Sequence, residues 1–209
     1  MHLEILSDQQ RELLPFVAQF KRSFYLVGGT AIALHIGHRR SIDFDLFTEK
    51  RLNISHINQK VFELPYQKKT LFKDIDQIHF YINEVKTTFF LYPYPVAHSE
   101  ILPNVISMPS LLSLSAMKAF ALGRRAKWKD YVDLYFMLRD FFSIKEISTA
   151  AEKIFGQLFS EKLFREQLAF HKDIDYSEPV EFLPNFAVDA QDIKAFLIDV
   201  SLSNVAPLN

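Results

Sequence analysis

The sequence predicts a mixed α+β protein, with a small sheet and its flanking helices in the first half and helices alone in the second. Three observations predict it: a strand, glycine turn and helix unit beginning at Phe24; a strictly alternating segment from Ser41 to Phe47; and helical periodicity beyond a proline-bearing stretch that ends at Pro103. At roughly 100–200 residues per domain, a chain of 209 residues is one domain or one core with a helical appendage. The hydrophobic share of 49%, with only 5 glycines and 9 prolines, permits a sizeable core and excludes a disordered or low-complexity chain. Phenylalanine is used 21 times, spread along the chain in the manner of packing residues.

The elements follow in order. Ser7 and Gln10 have the spacing of a capping box, and Leu13, Leu14, Phe16, Val17 and Phe20 supply an apolar stripe, with Pro15 a potential kink. Phe24 to Val27 is a short apolar run closed by Gly28-Gly29, after which Thr30 to Leu34 reads as helix. Ser41 to Phe47 alternates with period two and reads as a strand. A helix spans Ser55 to Leu64, and Ile78–Ile82 and Val85–Leu91 form a hairpin about Asn83-Glu84. Tyr92 to Pro103 carries three prolines and marks the boundary, giving units 1–105 and 106–209. Helices are predicted from Pro109 to Leu122, from Trp128 to Phe141, after a Ser143/Glu146 capping box, from about Ser160 and from Asp189 to Ser201.

Charge is nearly balanced, 24 basic against 25 acidic residues, so any polyanion site must be local. The absence of cysteine excludes disulfides, thiolate catalysis and Cys-ligated metal clusters. The amino terminus is too polar for a secretory leader and no window approaches a membrane span, so the expectation is a cytoplasmic protein with no membrane partner.

Asp43 and Asp45 are the sharpest chemical feature. On a strand rising about 3.3 Å per residue they share one face, about 6–7 Å apart along the backbone, and can converge on hard cations. Mg²⁺ or Mn²⁺ suits such oxygen ligands and completes its shell with water and substrate phosphates. The competing reading is a solvated face salt-bridged by Arg39 or Arg40. Gly28-Gly29-Thr30 at a strand-to-helix turn lets backbone amides approach a phosphate at a helix N-terminus; the plainer alternative is a tight turn with Thr30 as a cap. His35 and His38, three apart, lack a third nearby ligand and read as surface histidines rather than a metal pair.

Lys118, Arg124, Arg125, Lys127 and Lys129 follow one another from Ala116 to Lys129 with no acid among them. A phosphate-binding stripe and an ordinary solvated helix end both fit. Lys118 lies among Leu114, Met117 and Ala121, where an ammonium needs a reason. Asp130 and Asp133 share a helical face, with Lys129 in pairing distance of Asp133. Asp130 is a candidate to orient a basic group or accept a proton, and Asp133 a structural anchor.

The segments Phe24-Tyr25-Leu26-Val27-Gly28-Gly29-Thr30-Ala31 and His38-Arg39-Arg40-Ser41-Ile42-Asp43-Phe44-Asp45 resemble the AbiEii/AbiGii-type nucleotidyltransferases of the DNA polymerase β-like superfamily. Ala116-Met117-Lys118-Ala119, Arg125 and Lys129-Asp130-Tyr131-Val132-Asp133-Leu134-Tyr135 resemble that family's lysine helix and its following helix, and Tyr92-Pro93-Tyr94-Pro95 the tetrapeptide after its third core strand. The resemblance runs from about Phe24 to Leu138. It implies a polymerase β-like core sheet and transfer of a nucleoside monophosphate from an NTP to an RNA acceptor such as tRNA, or to a protein, in a toxin-like setting with a cognate antitoxin. Gly28, Gly29, Thr30, Lys118 and Arg125 would then bind the nucleotide, Asp43 and Asp45 would hold Mg²⁺ and serve catalysis, and Lys118 and Asp130 would join them.

One position departs from the family. The superfamily places a third carboxylate on a neighbouring strand, where counting back from Tyr92 gives Thr88 in this chain. The alternative reading is therefore a catalytically weak or silent module that binds Mg-NTP or a protein partner. An aspartate-based phosphatase is a third possibility, opposed by the polar Arg39-Arg40-Ser41 before Asp43 and by the glycine turn upstream.

Overall fold

A computed structural model describes residues 1–203. The chain divides into two compact units, Met1–Ser110 and the segment from Leu111 onward. Mixed α+β architecture follows: the first unit carries a five-stranded sheet and a two-stranded one, and the named elements of the second, among the described residues, are helices.

In the first unit, helix α1 (Asp8–Ala18) starts at a reciprocal capping box: the Gln10 amide donates to Ser7 Oγ at 3.2 Å and the Ser7 amide to Gln10 Oε1 at 3.0 Å. Such a cap contributes about 1 kcal/mol. Strand β1 (Tyr25–Val27) runs into helix α2 (Gly28–Ile36), which ends at Gly37 with φ of 77°. Strand β2 (Phe44–Thr48), helix α3 (Ile54–Phe62), and strands β3 (Lys68–Lys73), β4 (Gln77–Ile82) and β5 (Val85–Leu91) follow. The sheet order is β1-β2-β5-β4-β3, with β2 and β5 parallel and the other neighbours antiparallel. Asn83 and Glu84, both at positive φ (48° and 65°), make the two-residue turn between β4 and β5 that matches the twist of a hairpin.

Alternation sorts β2 into two faces, Phe44, Leu46 and Thr48 buried and Asp45 and Phe47 half-buried. The buried face meets a phenylalanine cluster centred on Phe89, whose ring lies 4.8 Å from Phe20, 5.3 Å from Phe24 and 6.4 Å from Phe16, in edge-to-face contacts. Packing on one side of the sheet leaves the other side for chemistry.

Two features differ from the sequence expectation. The strand over Ser41–Phe47 begins only at Phe44: β1 has three residues, so its ladder ends at Val27 opposite Asp45, and the preceding segment is held instead by α2. Strand β3 and the short hairpin of β6 (Glu100–Leu102) and β7 (Ile106–Met108) carry no clear alternating signal, being a lysine-bearing edge and two three-residue strands.

The second unit contains α4 (Leu111–Leu122), α5 (Trp128–Asp140), α6 (Ile144–Phe155), α7 (Glu161–Ala169) and α8 (Ala190–Leu202). Ser143 and Glu146 form the expected capping box on α6, Ser160 caps α7 and Asp189 caps α8. Phe120 of α4 stacks on Phe155 of α6 with centroids 3.8 Å apart.

Candidate active site

The glycine elbow and the acidic pair meet within the first unit. Val27, at the N-cap of α2, gives no side-chain cap, and the first amides of a helix have no partner inside it. Gly28 has φ of +73°, and a Cβ on it would stand 2.2 Å from Asp45 Oδ2. The carboxylate therefore lies directly against the elbow. A Cβ on Gly29 would stand 2.6 Å from a guanidinium nitrogen of Arg39 and 3.0 Å from Ser41 Oγ. The two glycines thus face different neighbours, a carboxylate at Gly28 and a guanidinium at Gly29.

Thr30 is buried, and its hydroxyl is spent inside the protein: Oγ1 lies 3.0 Å from Ser41 Oγ and 3.3 Å from the Ser41 carbonyl, and it also contacts the Asp43 carbonyl. This pins the segment that delivers Asp43 and Asp45 to the start of α2. Arg39 is buried and donates to the Arg40 carbonyl at 2.9 Å. The sequence offers Arg39 only as a salt-bridge partner, and its place beside Gly29 is added by the structure; the available signal is its position between Gly37 and the acidic pair. That same turn carries His38 into the interior, contrary to the surface position expected, while His35 is half-buried with Nε2 3.2 Å from the Pro109 carbonyl, and burial lowers its pKa.

Asp45 and Thr88 are direct cross-strand partners on β2 and β5, and Thr88 is in turn the partner of His79 on β4. Thr88 thus occupies the neighbouring-strand position beside Asp45. His79 was also missed, although alternation through Ile78–Ile82 puts it on that face; burial lowers its pKa, Lys86 lowers it further and Asp45 opposes them. Among the described residues no group of three or more His, Asp or Glu side chains could hold a metal ion. Asp45 against the glycine elbow, with the half-buried Asp43 two residues before it, is a donor set that fits Mg²⁺, which takes few protein ligands and shares its shell with phosphate oxygens.

Lys118, Arg125 and Asp130 come together within the second unit. Lys118 Nζ lies 2.7 Å from Asp130 Oδ1 and 3.0 Å from Asp133 Oδ2, with lysine and carboxylates all buried. Arg125, half-exposed, adds a 2.9 Å contact to Asp130 Oδ2. Burial pushes the Asp130 carboxyl up, but Lys118 and Arg125 outweigh it and hold it below its ordinary value. The rest of the basic stripe also has internal partners. Arg124 stacks on Phe120 at 3.6 Å, and Lys127 and Lys129 both engage Glu178, which burial raises and these two lysines draw down to about 2.

The family model described as nucleotidyl transferase AbiEii toxin, type IV TA system, matches residues 16–202. An uncharacterized protein of Aquifex aeolicus is 32% identical over 155 residues, covering 71% of this chain and 75% of its own. Among solved structures, JHP933 from Helicobacter pylori is similar with a TM-score of 0.57 at 16% identity, over 94% of this chain and 91% of that one. MenT4, a nucleotidyltransferase toxin from Mycobacterium tuberculosis, is similar with a TM-score of 0.60 at 12% identity, over 93% and 82%. At these identities the structural likeness speaks for the fold.

Proposed function

The chain belongs to the AbiEii nucleotidyltransferase toxin family, and on that premise we propose that it transfers a nucleoside monophosphate from an Mg-bound NTP to an RNA acceptor, releasing pyrophosphate. The observation that carries the reading is the Asp45 carboxylate lying against Gly28 at the start of α2, where the N-cap residue Val27 gives no side-chain cap. In it, the amides at Gly28 and Gly29 receive the triphosphate, and Asp43 and Asp45 hold the cation. Mg²⁺, when bound there, supplies charge neutralisation of the phosphates. Thr30 acts by holding residues 41–43 in place, through a hydroxyl already committed to them. Catalysis on this plan is positional and electrostatic, since the chain's task is to align the α-phosphorus with an incoming hydroxyl.

Asp130, held as an anion by two cations, is a weak proton acceptor. We assign it and Lys118 to a preformed ion cluster that orders α4 and α5, and leave the acceptor's proton to solvent. The setting is a cytoplasmic toxin with a cognate antitoxin. Among the described residues, no helix is long and apolar enough to cross a membrane.

Thr88 favours a second reading, a module that binds Mg-NTP with little turnover, because a neutral hydroxyl next to Asp45 cannot replace an anionic ligand. One experiment separates the two. Incubating the protein with each α-labelled NTP, Mg²⁺ and total RNA yields labelled RNA if transfer occurs; NTP binding with no labelled product selects the module. Thr88→Asp raises transfer if the site is sound but short of one ligand.

A further inference from the structure

The sheet face that carries Asp45 continues past the site to an open edge. Because cross-strand partners share a face, the register traces one row from Asp45 through Thr88 and His79 to Phe72, across β2, β5, β4 and β3. The neighbouring row runs from Lys86 through Tyr81 to Lys69. At about 4.8 Å per strand, Phe72 lies about 14 Å from the carboxylate, a span of a few nucleotides.

The composition of this face is unusual for a solvent-facing sheet. Phe72 and Tyr81 are 46% and 45% exposed, and the Phe72 ring meets the His79 ring edge-on at 5.5 Å. Lys69 and Lys86 flank Tyr81 on either side. Apart from Asp45, the strand residues of this face on β2, β5, β4 and β3 include no acid. Exposed rings stack on bases of any sequence, and flanking ammonium groups follow the phosphates. A protein strand adding to the edge is disfavoured by Lys68, Lys69 and Lys73 along β3. The basic residues from Lys118 to Lys129, in contrast, already have partners within their own unit.

We propose that this face, with Phe72 and Tyr81 as stacking platforms and Lys69 and Lys86 as phosphate contacts, is the bed on which a single-stranded RNA end is laid toward Asp43 and Asp45. The inference deepens the nucleotidyl-transfer reading and rests on it for the direction in which the strand points.

The test is fluorescence anisotropy of a labelled single-stranded RNA oligonucleotide against the intact protein, Phe72→Ala, Tyr81→Ala and the double variant Lys69→Gln/Lys86→Gln, with NTP affinity measured in parallel by calorimetry. Each aromatic variant weakens RNA binding by about 5- to 100-fold, and the lysine pair lowers the slope of log affinity against log salt by about 1 to 1.5, while NTP affinity stays as in the parent. Wild-type affinity for RNA in all three variants, or no RNA binding by the parent, overturns the proposal. The reading beneath it fails separately: RNA binding that needs these side chains, without any labelled transfer, supports the bed and defeats the reaction. Transfer to RNA by the variants at parental efficiency defeats the bed and leaves the reaction standing.

Discussion

The two charged clusters of this protein use the same residue types to opposite ends. Around Lys118, carboxylates and ammonium are buried together and neutralise one another at 2.7 and 3.0 Å. Around Gly28, both carboxylates stay half-buried, Asp45 on β2 against backbone that has no side chain to fill the space and Asp43 just ahead of the strand. We assign the buried cluster a scaffolding role, its charges paired within the second unit. On the proposed function, the half-buried acidic pair beside the start of α2 receives a cation and a polyanion together, which is what a metal nucleotide is.

The largest effect that sharpens this contrast is on activity. Asp43→Asn and Asp45→Asn each lower NMP transfer by at least about 100- to 1000-fold, while the urea midpoint stays close to the parent, as read by product labelling and denaturation. Full transfer in both would break the contrast at its ligand side. The largest stability effect falls on the other cluster: Lys118→Met leaves Asp130 and Asp133 buried beside each other and costs about 3–5 kcal/mol, seen in the same denaturation assay. A small loss would mean the cluster is not closed.

Gly28→Ala comes next. A residue with a Cβ at φ of +73° carries strain of about 1–2 kcal/mol, and that Cβ would meet Asp45 Oδ2 at 2.2 Å, so NTP affinity falls more than stability does. Equal losses would assign the glycine to folding alone.

The smallest effect is pH dependence. Burial lowers the pKa values of His35, His79 and His171 from 6.5, so the unfolded chain binds protons first as pH falls. Their contribution is intact above about pH 6.5 and stability drops below it. Asp130, lowered from 3.8, loses its contribution only in stronger acid. Urea midpoints should therefore fall between pH 7 and 5, and His35→Gln should flatten that fall; an unchanged slope in the variant would remove His35 from the account.

The parts of this molecule that could be read from sequence are those fixed by neighbours along the chain. The capping boxes at Ser7 and Ser143, the Asn83-Glu84 turn, the glycine elbow and the spacing of Asp43 and Asp45 each depend on a few consecutive residues. Thr88 could be placed near the acidic pair by counting back from Tyr92, and the register sets it opposite Asp45. The partners of Lys118 were less visible, because the contact spans twelve residues and the turn between two helices. The inward hydroxyl of Thr30 was hidden for the same reason: its acceptors lie 11 and 13 residues on. Strand β3 escaped because an edge strand exposed on both sides needs no alternation.

The central claim is that Asp43 and Asp45 carry the cation that brings the nucleotide to the glycine elbow. Calorimetric titration of NTP in the presence and absence of Mg²⁺, on the parent and on the Asp43→Asn/Asp45→Asn double variant, tests it most directly. The account predicts that Mg²⁺ tightens NTP binding in the parent and has no such effect in the variant. The same Mg²⁺-dependent tightening in both proteins would contradict it.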